Sequence, residues 1–111
     1  MPRMSKWYSF KSEQVDLAPE KAGAYQLAYK DVVVYIGSAE SSIRSRLREH
    51  RKRKTFMKVT HFRFCKTDSE EARATEAKLC KEFVRKNGKL PRLQKAAPKD
   101  TRSYIDRLIY G

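Results

Sequence analysis

From residue 24 to residue 37 the chain reads Ala-Tyr-Gln-Leu-Ala-Tyr, Lys-Asp, then Val-Val-Val-Tyr-Ile-Gly. Aromatic and β-branched residues on both sides of a two-residue polar break predict a hairpin turning at Lys30-Asp31. Its second arm is apolar at every position, which predicts the central strand of a sheet, covered on both faces. Ser41 and Ser42 offer helix caps, and Ile43 with Leu47 forms an apolar pair at helical spacing, predicting a helix to about Arg53. Over residues 59–66, Phe62 and Phe64 alternate with His61, Arg63 and Cys65, the pattern of a third strand. Asp68 and Glu71 have capping-box spacing and open a long second helix, which Asn87-Gly88 ends with a left-handed cap. Leu90-Pro91-Arg92-Leu93 reads as an ordered connector. A last helix, capped by Asp100 or Thr101, would carry Tyr104, Ile105, Leu108 and Ile109 on its apolar side. Before the hairpin, residues 1–22 read as an arm lying across the domain, anchored by Trp7, Tyr8 and Phe10.

The order hairpin, helix, strand, helix, helix predicts an α+β fold: a three-stranded, mainly antiparallel sheet flanked by helices. Its 111 residues suit a single domain. We divide it into an N-terminal arm (1–17), a core (18–95) and a C-terminal helix (96–111).

Charge changes the picture more than composition does. Lys and Arg total 26 against 13 Asp and Glu, a formal +13. Such a surplus repels itself in a folded domain and exceeds what solubility needs, so it points to a polyanionic partner. The two cysteines, Cys65 and Cys80, form no CxxC pair, and their spacing to His50 and His61 matches no common zinc site. No stretch approaches the ~20 apolar residues of a membrane span. The expectation is a soluble, cytoplasmic protein, nucleoid-associated if prokaryotic, with no membrane partner.

Three groups of residues resist a purely structural explanation. Glu76 lies four residues after Ala72, three before Leu79 and four before Cys80, inside the apolar stripe that also holds Phe83. A carboxylate there loses hydration unless a cation compensates it. Arg46 and His50, four apart, share a helix face, with the Ile43/Leu47 pair pointing elsewhere. Around them Arg44, Arg48, Arg51, Lys52, Arg53, Lys54 and Lys58, opposed only by Glu49, suggest a phosphate-contacting surface. Tyr25 and Tyr35 stand ten residues apart, on the two arms of the hairpin. A simple two-residue turn pairs Tyr29 with Val32 and puts the tyrosines on opposite faces; a longer turn or a bulge puts them side by side. Periodicity leaves both arrangements open.

Together these residues resemble the GIY-YIG nuclease superfamily. Gly23-Ala24-Tyr25 is similar to the first signature, with Ala24 where isoleucine or valine is usual. Tyr35-Ile36-Gly37 matches the second. Arg46-Leu47-Arg48-Glu49-His50 resembles the family's arginine–histidine helix, and residues 72–83 resemble the helix that carries the metal-binding glutamate. Leu90-Pro91-Arg92-Leu93-Gln94 resembles the closing element, with Gln94 in place of asparagine. The resemblance spans about residues 18–95.

It implies a divalent-metal-dependent DNA endonuclease that hydrolyses phosphodiesters by in-line attack of water. One Mg²⁺ or Mn²⁺ ion would sit on Glu76, with Arg46 on the scissile phosphate and Tyr25, Tyr35 and His50 around the nucleophile. Gly37 and Gln94 would support the site. Which of Tyr25, Tyr35 or His50 serves as general base stays open, although cations could lower Tyr25 enough for that role. DNA is the implied partner, with a homodimer or a targeting protein as further candidates. Nicking of structured or non-specific DNA in repair, recombination or mobile-element and phage contexts would suit so short a chain. The competing class is a non-catalytic, basic module binding DNA or structured RNA, which charge and aromatic content support nearly as well.

Overall fold

The computed structural model describes residues 3–94. Four antiparallel strands form one sheet: β1 (Tyr8–Ser9), β2 (Gly23–Tyr29), β3 (Val32–Ala39) and β4 (His61–Lys66). Helix α1 (Ser12–Val15) follows β1, α2 (Ile43–Arg51) follows the hairpin, and α3 (Ala72–Asn87) follows β4. The spatial order is β1-β4-β2-β3.

This corrects two expectations. The sheet has four strands rather than three, because the N-terminal arm is itself a strand. Tyr8 pairs with Phe62 and Ser9 with His61, so the arm covers an edge of β4 that would otherwise stay open. Tyr8 also stacks on Phe62 and Phe64, and Phe10 meets Phe62 edge-on. The central strand is β2, paired on both sides, and not the apolar β3. The run Val-Val-Val-Tyr-Ile misleads because its edge is covered by chain rather than by a strand. The Leu93 N–H bonds the Val34 carbonyl at 2.9 Å, and Gln94 Oε1 accepts from the Ile36 N–H at 2.9 Å.

The hairpin holds the detail that periodicity left open. Tyr29 pairs with Val32 and Ala28 with Val33, but Leu27 pairs with Tyr35, so Val34 is an extra residue in β3. At such a bulge two neighbouring side chains can share a face. Val34 and Tyr35 both pack into the cluster formed by Tyr25, Leu27, Ile43 and Leu47, on the α2 side of the sheet. Ala24 and Ile36 face the other way, against Leu79 and Cys80 of α3. The small Ala24 lets α3 approach closely there.

Ser42 caps α2, its Oγ accepting from the Ser45 N–H at 3.1 Å. The expected capping box does not form. Neither Asp68 nor Glu71 makes a side-chain cap bond, because a 3-10 turn (Ser69–Glu71) intervenes before α3. Gly88, at φ 73°, closes α3 in the left-handed conformation as its sequence predicts. The helix predicted around Tyr104, Ile105, Leu108 and Ile109 lies outside the described residues. No helix among the described residues is long and apolar enough to cross a membrane.

Candidate active site at the edge of the sheet

The bulge brings the two tyrosines together. Their rings stack at 6.3 Å with 23° between planes. Tyr25 is fully buried, and its hydroxyl lies 2.6 Å from His50 Nε2. His50 was expected on a basic face with Arg46, turned from Ile43 and Leu47. It is instead buried with them, since positions 43, 47 and 50 form one helical stripe. Phe56, from the 3-10 turn Lys54–Phe56, closes over this group, 4.5 Å from the His50 ring and 5.1 Å from that of Tyr35. Gly37 makes room for it. A Cβ there would stand 2.5 Å from Tyr25 Oη.

Glu76 reaches the same edge from the opposite face of the sheet. It is half-buried on α3, and Ser38 Oγ donates to its Oε1 at 2.6 Å. Arg46, partly exposed on α2, bonds Glu49 at 2.9 Å while acting electrostatically on Tyr25, Tyr35 and Glu76 together. Tyr35 and Glu76 are likewise coupled. Tyr25, Tyr35 and His50 thus form one aromatic group, and Glu76 and Arg46 act electrostatically on both tyrosines, so two strands and two helices contribute to this edge.

Burial dominates the protonation of this group. It raises the Tyr25 hydroxyl well above the usual range, Tyr35 adding to the shift and Arg46 opposing it. It raises Tyr35 as well, helped by the charge of Glu76. In the protein without metal, desolvation outweighs the lowering by Arg46. Burial, with Arg46 and Arg53 close by, lowers His50 to about 4, leaving the imidazole neutral at pH 7. His50 Nδ1 is buried with no partner among the described residues. Burial also raises the Glu76 carboxyl, against the pull of Ser38, Arg73 and Arg46.

The predicted basic surface divides. Arg44 donates to the Ala18 carbonyl at 2.8 Å and to Glu20 at 2.9 Å, and Arg48 pairs with Asp16 at 2.9 Å. Both hold the N-terminal segment against α2, two nitrogens of each guanidinium being engaged there. Arg51 makes a long contact with Ser12 Oγ at 3.5 Å. Lys52, Arg53, Lys54 and Lys58 are exposed and form no ion pair among the described residues. Gln94 is drawn into the site's frame through Ile36, between Tyr35 and Gly37.

Two residues had no assigned role in the sequence. Ser38 fixes Glu76, and its signal was a hydroxyl on the strand face that Ala24 and Ile36 make apolar. Phe56 seals His50, and its signal was an aromatic residue inside a run of cations.

A cation fits this donor set with the Glu76 carboxylate as its ligand. Among the described residues no group of three His, Cys, Asp or Glu is placed to hold a metal ion. Glu76 enters no ion pair among the described residues and bonds Ser38 through one oxygen. A single oxygen ligand completed by water and substrate phosphate is the binding style of Mg²⁺.

Comparison with known proteins agrees with the geometry. The chain matches solved structures of the GIY-YIG N-terminal endonuclease domain of UvrC from Thermotoga maritima. For a point mutant bound to its catalytic divalent cation, identity is 24% and the TM-score 0.59, covering 76% of this chain and 93% of that one. For the domain bound to magnesium, identity is 26% and the TM-score 0.58, covering 74% and 92%. A second point mutant with the cation gives 25% identity and 0.58 over the same shares. No curated protein matches the chain in sequence. The profile of a family described as a domain of unknown function, DUF7508, matches residues 1–86. The chain belongs to that family, and its fold is GIY-YIG-like.

Proposed function

We propose that this protein is a divalent-metal-dependent DNA endonuclease that nicks one strand at a time. The observation that carries this reading is the convergence of Tyr25, Tyr35, Arg46, His50 and Glu76 on one sheet edge, beside unpaired cations. A binding module has no use for a half-buried carboxylate beside a phosphate-binding surface, whereas a hydrolase does. The UvrC domains crystallised with their catalytic cation support the same reading.

In this reading Glu76 holds one Mg²⁺ or Mn²⁺, fixed by the Ser38 hydroxyl. Once bound, the ion supplies Lewis-acid stabilisation of the phosphate and the leaving oxygen. Arg46 faces the scissile phosphate and neutralises charge that develops there. Lys52, Arg53, Lys54 and Lys58 track the strand's backbone and make affinity fall with salt.

Tyr25 keeps its proton at neutral pH, so its hydroxyl acts as a relay rather than as a tyrosinate. It accepts a proton from the attacking water as its own passes to His50 Nε2, 2.6 Å away. His50 is uncharged at pH 7 and presents Nε2 as the acceptor, although burial, Arg46 and Arg53 disfavour its charged form and make it a weak base. Tyr35, stacked on Tyr25, orients the water or the phosphate. Residues 18–95 would form the catalytic core.

The test is cleavage of supercoiled and branched DNA with and without Mg²⁺, beside binding measured in chelator. The wild type should nick only with metal. Glu76→Ala should lose cleavage and keep binding, and full activity in that variant would remove Glu76 from the mechanism. Binding without cleavage by the wild type in both Mg²⁺ and Mn²⁺ would leave the non-catalytic module as the function.

A further inference from the structure

One residue along β3 from Tyr35, and on either side of Phe56 in the loop after α2, the chain surrounds a concavity of about 300 Å³. Tyr29, Val34 and Met57 form much of its apolar wall, and Lys54, Lys58 and Arg92 stand around it. None of these three cations has an acidic partner among the described residues. Met57 is 74% exposed, a large apolar side chain in a loop that also carries Lys52, Arg53, Lys54 and Lys58. Folding does not explain it, since a polar residue would serve an exposed position as well.

An apolar wall within a ring of unpaired cations suits a ligand with a flat apolar face and an anionic group at each end. A nucleotide within a strand has that form. In an intact duplex the base faces are hidden in the stack, so only an unpaired or extruded base can enter. Methionine is also among the side chains that wedge between base steps.

We infer that this cavity receives an unpaired base of the DNA strand close to the scissile phosphate, with Met57 against its face and Lys54, Lys58 and Arg92 on the flanking phosphates. The substrate class is then DNA with a local gap, bubble or mismatch, rather than intact duplex. The choice of DNA rests on the nuclease reading above; the preference for an unpaired base rests on the cavity itself.

The experiment is equilibrium binding of the full chain in chelator, so that no cleavage occurs. Two labelled DNAs are compared, one fully paired and one carrying a short bubble that contains 2-aminopurine. The wild type should bind the bubble about tenfold more tightly, the size of one base-stacking contact, and 2-aminopurine fluorescence should change on binding. Met57→Ala should lose most of that preference and keep its affinity for the paired duplex. Because Met57 is exposed, its melting temperature should not move, which separates a lost contact from a lost fold.

Lys52→Gln should weaken binding to both DNAs alike. Equal affinity of the wild type for both DNAs, or a preference that survives Met57→Ala, would overturn the inference. Cleavage assayed separately with Mg²⁺ keeps the two readings distinct. Nicking of paired DNA without preference ends the base-cavity reading alone, and bubble preference without nicking ends the nuclease reading alone.

Discussion

Tyr25 and Gly37 are partners across the hairpin, and the phenol ring lies directly over the glycine. Replacing Gly37 by alanine places a Cβ 2.5 Å from Tyr25 Oη, 2.6 Å from Cζ and 2.8 Å from Cε2. To restore an ordinary contact of 3.4 Å the hydroxyl must retreat about 0.9 Å. It has nowhere to go, since Tyr25 is fully buried against Tyr35 and His50. Overpacking of this kind costs roughly 1–3 kcal/mol, or about 4 °C of melting temperature for each kcal/mol in a domain this small. The same displacement pulls Tyr25 from its 2.6 Å bond to His50. A misplacement of ~1 Å in a catalytic group is worth on the order of a 10²-fold loss of rate.

Gly37→Ala should therefore melt earlier, lose about two orders of magnitude in Mg²⁺-dependent nicking, and bind DNA as before. Gly88→Ala is the control. It adds a Cβ that meets nothing within 4 Å but strains a φ of 73°, costing roughly 1–2 kcal/mol with no displacement at the site. Comparing the two at equal stability isolates the geometric effect. A Gly37→Ala protein that melts with the wild type and cleaves within twofold of it would refute both the packing argument and the role given to Tyr25.

Stability should depend on His50 in acid. With His50 lowered to about 4 from 6.5, its contribution is complete above pH 6.5 and is lost as pH falls through 4, a difference of roughly 3 kcal/mol. His50→Gln should flatten that limb in urea midpoints taken from pH 7 to pH 4, and an unchanged slope would count against it. Gln94→Ala leaves the Ile36 N–H without its acceptor and should cost about 1 kcal/mol. Fast exchange of the Ile36 amide would report it, and retained protection would mean that another acceptor has taken over. Arg44→Ala with Arg48→Ala should lower the melting temperature and leave the salt dependence of DNA binding intact. Lys52→Gln with Lys54→Gln should do the reverse, reducing the slope of log affinity against log salt by about two.

Much of this arrangement was legible in the sequence because local rules and the fold agree there. The hairpin, the cap at Ser42, the alternation around Phe62 and the stop at Gly88 each follow from a few neighbouring residues. What was not legible depends on distant segments. The fourth strand has only two residues, Tyr8 and Ser9, and exists because β4 offers an edge. His50 looked like a member of a basic face because the residues around it are basic. The stripe of positions 43, 47 and 50 was readable within the helix, whereas its packing against Tyr25 joins segments that no window of sequence brings together. The division of the arginines follows the same logic: Arg44 and Arg48 find Glu20 and Asp16 only when the N-terminal segment folds back.

The misplaced central strand bears most directly on function. Tyr25, Tyr35 and His50 lie on the α2 side of the sheet, while Glu76 comes from α3 on the other. Groups on opposite faces meet only around a rim, so the strand between them must be an edge. A central β3 would bury its rim under a neighbour and separate the carboxylate from the tyrosines by the thickness of the sheet. The bulge at Val34 completes the arrangement, turning Tyr35 to the side where Tyr25 stands while Ile36 and Ser38 keep their places toward α3. Gln94 and Leu93 then satisfy the backbone of that edge without adding a strand. The edge is thus hydrogen-bonded along its length while side chains from both faces of the sheet stand at its rim.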